Sequence, residues 1–358
     1  MKVCILGDGL TSLTLAKALV NKKIFVDLIV KKKNMSISKT RTIGISKSNV
    51  EFFNKNIFDI DKILWKIKKI EILNENLKSE NLINFTNRSN SLFSIVRNFK
   101  LSQLLEKSLS KSKYFKKFNF KINENICQKY NLIINTDYNN SITKRYFSKK
   151  IVKNYNSKAF ATIIKHEKIS NNIATQIFTK KGPLAFLPIS NTETSIVYSA
   201  KNVKYKKSED IKDLIKTHNL RYRIKKIDKI SAFELRAVFL RKYYHKNILA
   251  FGDLIHKIHP LAGQGFNMTI RDIKNLISLI DKRLILGLPI DQSINTEFEN
   301  NLKNKNFIFS SGIDLIYEFF NIEENLNSSF LRKSIQNFGK NTFVNKIFTK
   351  IADRGIVF

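Results

Sequence analysis

Residues 2–30 restrict the fold more than any other part of the chain. Val3-Cys4-Ile5-Leu6 is a short apolar strand, and Gly7-Asp8-Gly9-Leu10-Thr11-Ser12 follows it directly. Apolar residues then recur at helical spacing, at Leu13, Ala16, Leu19 and Val20, before Ile24 to Val30 returns to a strand pattern. Strand, glycine turn, helix and strand make a βαβ opening of an α/β fold. Its turn is a GxGxxS variant of the dinucleotide fingerprint. Gly7 makes the tight turn, Gly9 lets the backbone approach a pyrophosphate, and the third position needs only a small residue, here Ser12. The alternative is a glycine turn with a structural role alone. The acidic residue that should end the second strand and bind a ribose is missing: Leu28-Ile29-Val30 runs into Lys31, Lys32 and Lys33, and Asp27 lies inside the strand. Those lysines suit a 2′-phosphate, which keeps NADP open as a ligand of this unit.

A second stretch, Phe251 to Asp272, repeats the logic near the other end of the chain. Asn247 to Phe251 reads as a buried strand, Gly252-Asp253 turns the backbone, and a loop carries His256, His259 and Pro260. Gly263-Gln264-Gly265 then opens a helix through Asn267, Ile270, Ile273 and Leu276. A helix start presents unpaired N–H groups, so this is a second anion or cofactor site. In a chain with 11 glycines and 4 prolines, their clustering here is informative.

Composition excludes several classes. The apolar fraction of 43% supports a core, and no apolar run is long enough to span a membrane. MKVCILGDGL lacks a charged leader and a cleavage site, so no signal peptide is expected. Cys4 and Cys127 give neither a disulfide framework nor a metal site, which fits a reducing cytoplasm. His256 and His259 have only Asp253 near them at ligand spacing, so no metal is expected. The net charge of +35 invites a nucleic-acid reading, but the lysines are spread along the chain, and no basic helix or aromatic RNA-binding motif gathers them. A solvated lysine surface is the reading adopted, with attraction to anionic lipid as the alternative.

Between these two stretches the pattern changes. Arg41 to Ser46 reads as a turn into a helix from Ser46 to about Asn54, with Trp65 in a basic amphipathic stretch beyond it. Ile70 to Phe93 reads as strands and polar loops, Leu101, Leu104, Leu105 and Leu109 mark a helix, and Asn131 to Asp137 is an apolar strand with an acidic end. From Ile151 to Ile230 the chain is β-rich, with strands at Ala159–Ile164, Ala174–Phe178 and Thr194–Tyr198 and the segment Gly182–Pro188 between the last two. Such a sheet between parts of a nucleotide domain suggests a layer that covers a substrate. The rest of the chain is mostly helical.

Several segments, in this order, resemble the FAD-dependent aromatic hydroxylases of ubiquinone biosynthesis (the UbiH/UbiF/VisC group), within the p-hydroxybenzoate hydroxylase-like flavoproteins. Gly252-Asp253 through His256, His259-Pro260-Leu261-Ala262-Gly263-Gln264-Gly265-Phe266-Asn267 to Asp272 is similar to that group's GDAAHxxHPxAGQGxNxGxxD. Phe178 to Pro188 is similar to its FTPxGPLALLP segment, and Arg41 to Ser46 to its RxxALS segment. The resemblance implies an α/β fold: a Rossmann-like FAD-binding domain (residues 1–70, 101–150 and 235–285), an inserted β-sheet substrate domain (71–100 and 151–234) and a helical C-terminus (286–358).

It also implies a site. Gly7, Gly9, Leu10 and Ser12 would face the FAD pyrophosphate, with Arg41 near the ribityl or phosphate region and Asp137 in the central DG motif. Gly252 and Asp253 would meet the ribityl chain. Pro260, Gly263, Gln264, Gly265, Phe266 and Asn267 would lie against the isoalloxazine, where helix-start N–H groups stabilise the charge of reduced flavin. His259, Pro260 and Gln264 would be the residues nearest the chemistry. His256 is read either as structural or as a cofactor contact.

The implied reaction is hydroxylation of the ring of a polyprenylated phenol, through reduction of FAD by NAD(P)H and a flavin C4a-hydroperoxide formed with O2. The flavin carries that chemistry, and the protein supplies orientation and a dry pocket. The substrate implies peripheral contact with the inner membrane face, or with other quinone-biosynthesis proteins. Phe343, Val344, Ile347, Phe348 and Ile351, with Lys346 and Lys350, fall on one helical face that either packs on protein or lies on a membrane.

The chain departs from the family pattern at Val30, at Tyr138 and Lys144 in place of the DG motif's glycine and arginine, and at Leu254-Ile255 in place of paired alanines. Those departures support a second reading, a weakly active or inactive subunit of a quinone-biosynthesis complex. A flavin reductase or dehydrogenase that does not hydroxylate is a third.

Overall fold

The structure, a computed structural model, describes residues 2–30, 39–75, 81–86, 91–119, 128–201, 208–259, 263–326 and 350–355. The opening unit forms as its pattern predicts: strand β1 (Lys2–Leu6), helix α1 (Leu10–Asn21) and strand β2 (Phe25–Val30). β1 and β2 are parallel, with Val3 opposite Val26. On the other side of β1 lies β9 (Leu132–Asn135), also parallel, and beyond it β17 (Ile248–Ala250). The six-stranded sheet closes with β16 (Tyr244–His245) at one edge and β8 (Phe115–Asn119) at the other. Strands covered on both faces read as unbroken apolar runs, and Val3 to Leu6 and Leu132 to Ile134 are completely buried. Because β1, β9 and β17 run the same way, the residues that follow them gather along one edge of the sheet, the place where open α/β sheets bind ligands.

A larger antiparallel sheet follows the order β18 (His256–Lys257), β15 (Ser231–Leu240), β10 (Lys150–His166), β13 (Glu193–Lys201), β12 (Gly182–Pro188), β11 (Ile173–Thr179), β5 (Lys69–Asn74) and β6 (Asn81–Thr86), with β14 (Ile224–Ile227) beside β10. The strands expected at Ala159, Ala174 and Thr194 are all here, and Gly182–Pro188 is a strand in its own right. One pair breaks the antiparallel pattern: β11 lies parallel to β5. Helix α5 (Ser208–Thr217) packs on this sheet through Ile211 and Ile215, whereas α3 (Asn98–Leu109) and α4 (Ser141–Tyr146) join the core of the six-stranded sheet.

The third sheet corrects one expectation. Arg41 to Ser46 is not a turn: Thr42–Ser46 is strand β3, paired antiparallel with β7 (Phe93–Arg97), which also pairs with β4 (Trp65–Ile67). Gly44 explains the fit, because a Cβ there would sit 3.3 Å from the Phe93 ring. Helix α2 (Lys47–Asn56) starts immediately after it. Trp65 is half-buried and donates through Nε1 to the Asn171 carbonyl at 2.6 Å.

Two long helices finish the fold, α6 (Gln264–Ile285) and α7 (Ser293–Leu326). α7 bridges the sheets. Its Phe298 stacks on Phe251 at 5.4 Å, and its Phe309, Ile313 and Tyr317 pack with Tyr155, Leu235 and Met268. Among the described residues no helix is long and apolar enough to cross a membrane. Of the C-terminal apolar face, only Lys350 and Ile351 lie within the described residues, and both are exposed.

Candidate cofactor site

The two glycine-bearing stretches meet. Gly7 has φ +125°, and a Cβ there would lie 2.3 Å from Thr136 Oγ1 and 3.2 Å from Ser12 Oγ. Thr136 follows β9; its hydroxyl donates to the Leu6 carbonyl at 3.0 Å and lies 2.7 Å from Ser12 Oγ. The small third residue of the fingerprint is therefore required by its neighbour Thr136. Gly252, at φ +64°, sits against α1, where a Cβ would be 2.6 Å from Thr11 Cγ2. The Phe251 N–H donates to the Asn135 carbonyl at 2.9 Å, continuing the sheet to its edge. Asp253 is exposed at that edge.

Gly9 caps α1 with no side-chain bond to the helix start, the first turn carries no acidic residue, and a Cβ on Gly9 would meet no protein atom within 4 Å. Leu10, the first helical residue, is half-buried. The backbone here suits an anion. Asp27 cannot serve the ribose, because its buried carboxylate already accepts from Tyr130 Oη at 2.6 Å and Lys2 Nζ at 2.7 Å. Lys31 to Lys33 lie outside the described residues.

Asp137 holds its own turn: Oδ1 accepts from the Asn139 N–H at 2.8 Å, and its carbonyl accepts from Thr143 Oγ1 at 2.5 Å. Tyr138, standing where the resemblance expects glycine, donates its hydroxyl to the Asp253 carbonyl. Burial, with the charge of Asp253, pushes its phenol above the ordinary tyrosine value, so it stays a donor. The large side chain thus clamps the Gly252-Asp253 turn to the loop after β9. Leu254 and Ile255 are 2% and 0% exposed and belong to the main core. Their bulk points inward, away from the edge where a cofactor would lie.

The second helix start is built the same way. Gly263 caps α6 at φ +63° with no side-chain bond, no acidic residue follows in the first turn, and a Cβ on Gly265 would meet nothing within 4 Å. Asn267 fastens this start to β3: Oδ1 accepts from the Ser46 N–H at 2.8 Å and from Asn49 Nδ2 at 2.9 Å. Its Nδ2 donates to the carbonyls of Gly44 at 3.0 Å and Gly263 at 3.2 Å. Gln264 is buried, with Oε1 accepting from Arg271 Nη2 at 3.1 Å, and Phe266 is half-buried against the main core. Arg41 is exposed at the entry to β3. Pro260, with Leu261 and Ala262, lies outside the described residues.

The two loop histidines have opposite environments. His256 is buried, with Nε2 2.5 Å from Asp272 Oδ2, while Asp272 Oδ1 accepts from Asn306 Nδ2 at 3.1 Å. Burial opposes its imidazolium, but the charge of Asp272 outweighs burial and raises its pKa. This geometry supports the structural reading of His256, a link from β18 through α6 to α7. His259 is 1% exposed, stacked on Tyr317 at 4.2 Å and edge-on to Tyr155 at 5.0 Å. Burial, then Lys201 and Lys153, push its pKa down to about 3, so it is a neutral imidazole at neutral pH.

Sequence reasoning missed Thr136, Ser46, Asn49 and Arg271. Each acts by bonding a residue distant in the chain, and no spacing announces that.

Residues 150–284 match the family model described as FAD binding domain. The chain is 27% identical over 232 residues to the mitochondrial ubiquinone biosynthesis monooxygenase COQ6 of Danio rerio, covering 53% of this chain and 48% of that protein. It is 29% identical over 152 residues to the 3-demethoxyubiquinol 3-hydroxylase of Escherichia coli K12, covering 40% of this chain and 39% of that one. The chain spans about half the length of the curated relatives it matches. Among solved structures, p-nitrophenol 4-monooxygenase PnpA of Pseudomonas putida aligns with a TM-score of 0.80 at 11% identity, over 99% of this chain and 98% of that one. A single-residue variant of Klebsiella pneumoniae HpxO, complexed with FAD, aligns with a TM-score of 0.75 at 11% identity, over 98% and 99% of the two chains. The chain shares the fold of these two proteins, and the sequence resemblance to the ubiquinone-biosynthesis hydroxylases is borne out.

Proposed function

We propose that this chain, similar in sequence to the UbiH/UbiF/VisC-type hydroxylases, is an FAD-dependent monooxygenase. Its reaction is hydroxylation of the aromatic ring of a polyprenylated phenol in ubiquinone biosynthesis, with NAD(P)H and O2 as co-substrates. The observation that carries this reading is the pair of glycine-opened helix starts. Neither has a side-chain cap, and both have backbone that a ligand can approach closely.

The residues present fit FAD. The turn from Gly7 through Gly9 to Leu10 would hold the pyrophosphate at the start of α1, where helix-end N–H groups favour negative charge; Ser12, expected to face it as well, is fully buried on Thr136 and instead lets the turn pack closely. The exposed Asp253 would accept from the ribityl hydroxyls. The start of α6, from Gly263 to Asn267, together with Gly44 to Ser46, would hold the isoalloxazine, and the exposed Arg41 would stand at the entrance; the part expected of Pro260 falls outside the described residues. FAD, once reduced, supplies the oxygen-activating chemistry. The protein's part is placement and dryness: Asn267 fixes the distance between the two walls, and Tyr138 fixes the Asp253 turn. Neutral His259, buried between Tyr155 and Tyr317, adds no cation. A substrate that resides in lipid requires peripheral contact with a membrane surface or with other proteins of the pathway, and the basic surface suits anionic headgroups.

Tyr138, in place of glycine beside Asp253, favours the second reading, a weakly active subunit of a quinone-biosynthesis assembly. One experiment separates the two. The purified full chain should be yellow, take up added FAD and consume NAD(P)H, and it should restore quinone synthesis in one of a set of strains each lacking one ring hydroxylase. A chain that takes up FAD but restores none of those strains argues for the subunit role. A colourless chain that refuses FAD removes the flavoenzyme reading.

A further inference from the structure

The last described residues, 350–355, form a helical turn that comes back to the cofactor site from the far end of the chain. They touch both walls of its flavin-side half. On one wall, Asp353 Oδ1 accepts from the Ser48 N–H at 2.8 Å, and the Asp353 carbonyl accepts from Ser46 Oγ at 2.9 Å and Ser48 Oγ at 2.8 Å. This is the start of α2. Its own N-cap, Ser46, makes no side-chain bond to the helix, its first residue is Lys47, and its first turn has no acid. Asp353 therefore supplies the capping oxygen and the negative charge that a helix start favours.

On the other wall, Arg271 Nη2 donates to the Ala352 carbonyl at 3.2 Å and to Gln264 Oε1 at 3.1 Å. Gly355 has φ +76°, and a Cβ there would lie 2.9 Å from Arg271 Nη1. The same two walls are tied internally by Asn267, which bonds Gly44 and Ser46 on one side and Gly263 on the other.

We propose that residues 350–355 are a latch that holds Gly44–Ser46 against Gly263–Gln264, with Asp353 as a positioning residue for retention of the flavin. The inference rests on the FAD reading above. With the latch released, ordering the two walls costs free energy at the moment of binding, and affinity falls accordingly.

The test uses the full chain and two readouts: FAD affinity from quenching of flavin fluorescence, and amide exchange of residues 44–48 in the FAD-free protein. Asp353→Ala should weaken FAD binding on the order of tenfold, the effect of losing one helix cap, and should speed exchange at residues 44–48. Asp353→Asn keeps an oxygen for the Ser48 N–H and should stay near the parent chain. Tyr222→Phe, which removes a hydroxyl bonded to Asn171 in the connection between β10 and β11, should lower the melting temperature without touching FAD affinity. If Asp353→Ala does not fold, Ser48→Ala decides, with a smaller shift in the same direction.

Unchanged FAD affinity in Asp353→Ala overturns the latch, whether or not exchange rises. A parent chain that binds FAD while the variant is unaffected leaves the FAD reading standing. A parent chain that cannot bind FAD removes both.

Discussion

Replacing His259 by Phe should make the protein less sensitive to acid. The imidazole is 1% exposed between Tyr317 and Tyr155, and its pKa falls from 6.5 to about 3. In the unfolded chain it titrates normally. Above pH 6.5 both states are neutral and the group contributes nothing to the pH dependence. As the pH falls below 6.5, the unfolded chain takes up a proton that the folded chain refuses, so stability drops steadily until the folded pKa is reached. At pH 5 the penalty is about 2 kcal/mol. Phe keeps an aromatic ring for both contacts and cannot be protonated. The assay is urea unfolding of parent and variant at pH 7 and pH 5, with His256 unchanged in both so that its titration cancels. The stability lost on acidification should be about 2 kcal/mol smaller in His259→Phe. Equal losses in the two proteins would refute the argument and mean that the imidazole reaches water once it is protonated.

His256 has the opposite sign. Its folded pKa is raised by Asp272, so its stabilisation is fully present below pH 6.5 and is lost as the pH rises through the folded value. Asp272→Asn should abolish that alkaline-side loss in the same unfolding series. Asn267→Ala leaves the buried Ser46 N–H and the Gly44 carbonyl without their partner, a cost of about 3 kcal/mol, read as a fall in urea midpoint together with weaker FAD uptake. Gly7→Ala forces a Cβ to within 2.3 Å of Thr136 Oγ1 at φ +125°; loss of FAD binding with the fold retained by circular dichroism is the expected result. Tyr138→Phe removes the bond to the Asp253 carbonyl and should cost about 1 kcal/mol, measured by thermal unfolding.

What was legible in the sequence was local. The opening βαβ unit shows because apolar spacing switches from strand to helix and back around Gly7 and Gly9, and the start of α6 shows because Gly263 and Gly265 stand together in a glycine-poor chain. β3 was hidden, since its alternation is short and its partner β7 lies far along the chain. Leu254-Ile255 read as bulk against a cofactor, but residues that follow a turn face either way, and the core took both. The return of Asp353 to the start of α2 crosses almost the whole chain and rests on one carboxylate, which no periodicity encodes.

The parallel order of β1, β9 and β17 has a consequence for biosynthesis. β9 is complete when Asn135 leaves the ribosome, but its outer neighbour β17 is not made until Ala250, and most of the large sheet, β10 to β15, is synthesised in between. At ordinary elongation rates the apolar edge Leu132-Ile133-Ile134 stays unpaired in the nascent chain for on the order of ten seconds. An open apolar edge is a template for association with other chains. Recombinant yield should therefore depend more on slow growth and available holdase chaperones than on the stability of the finished protein.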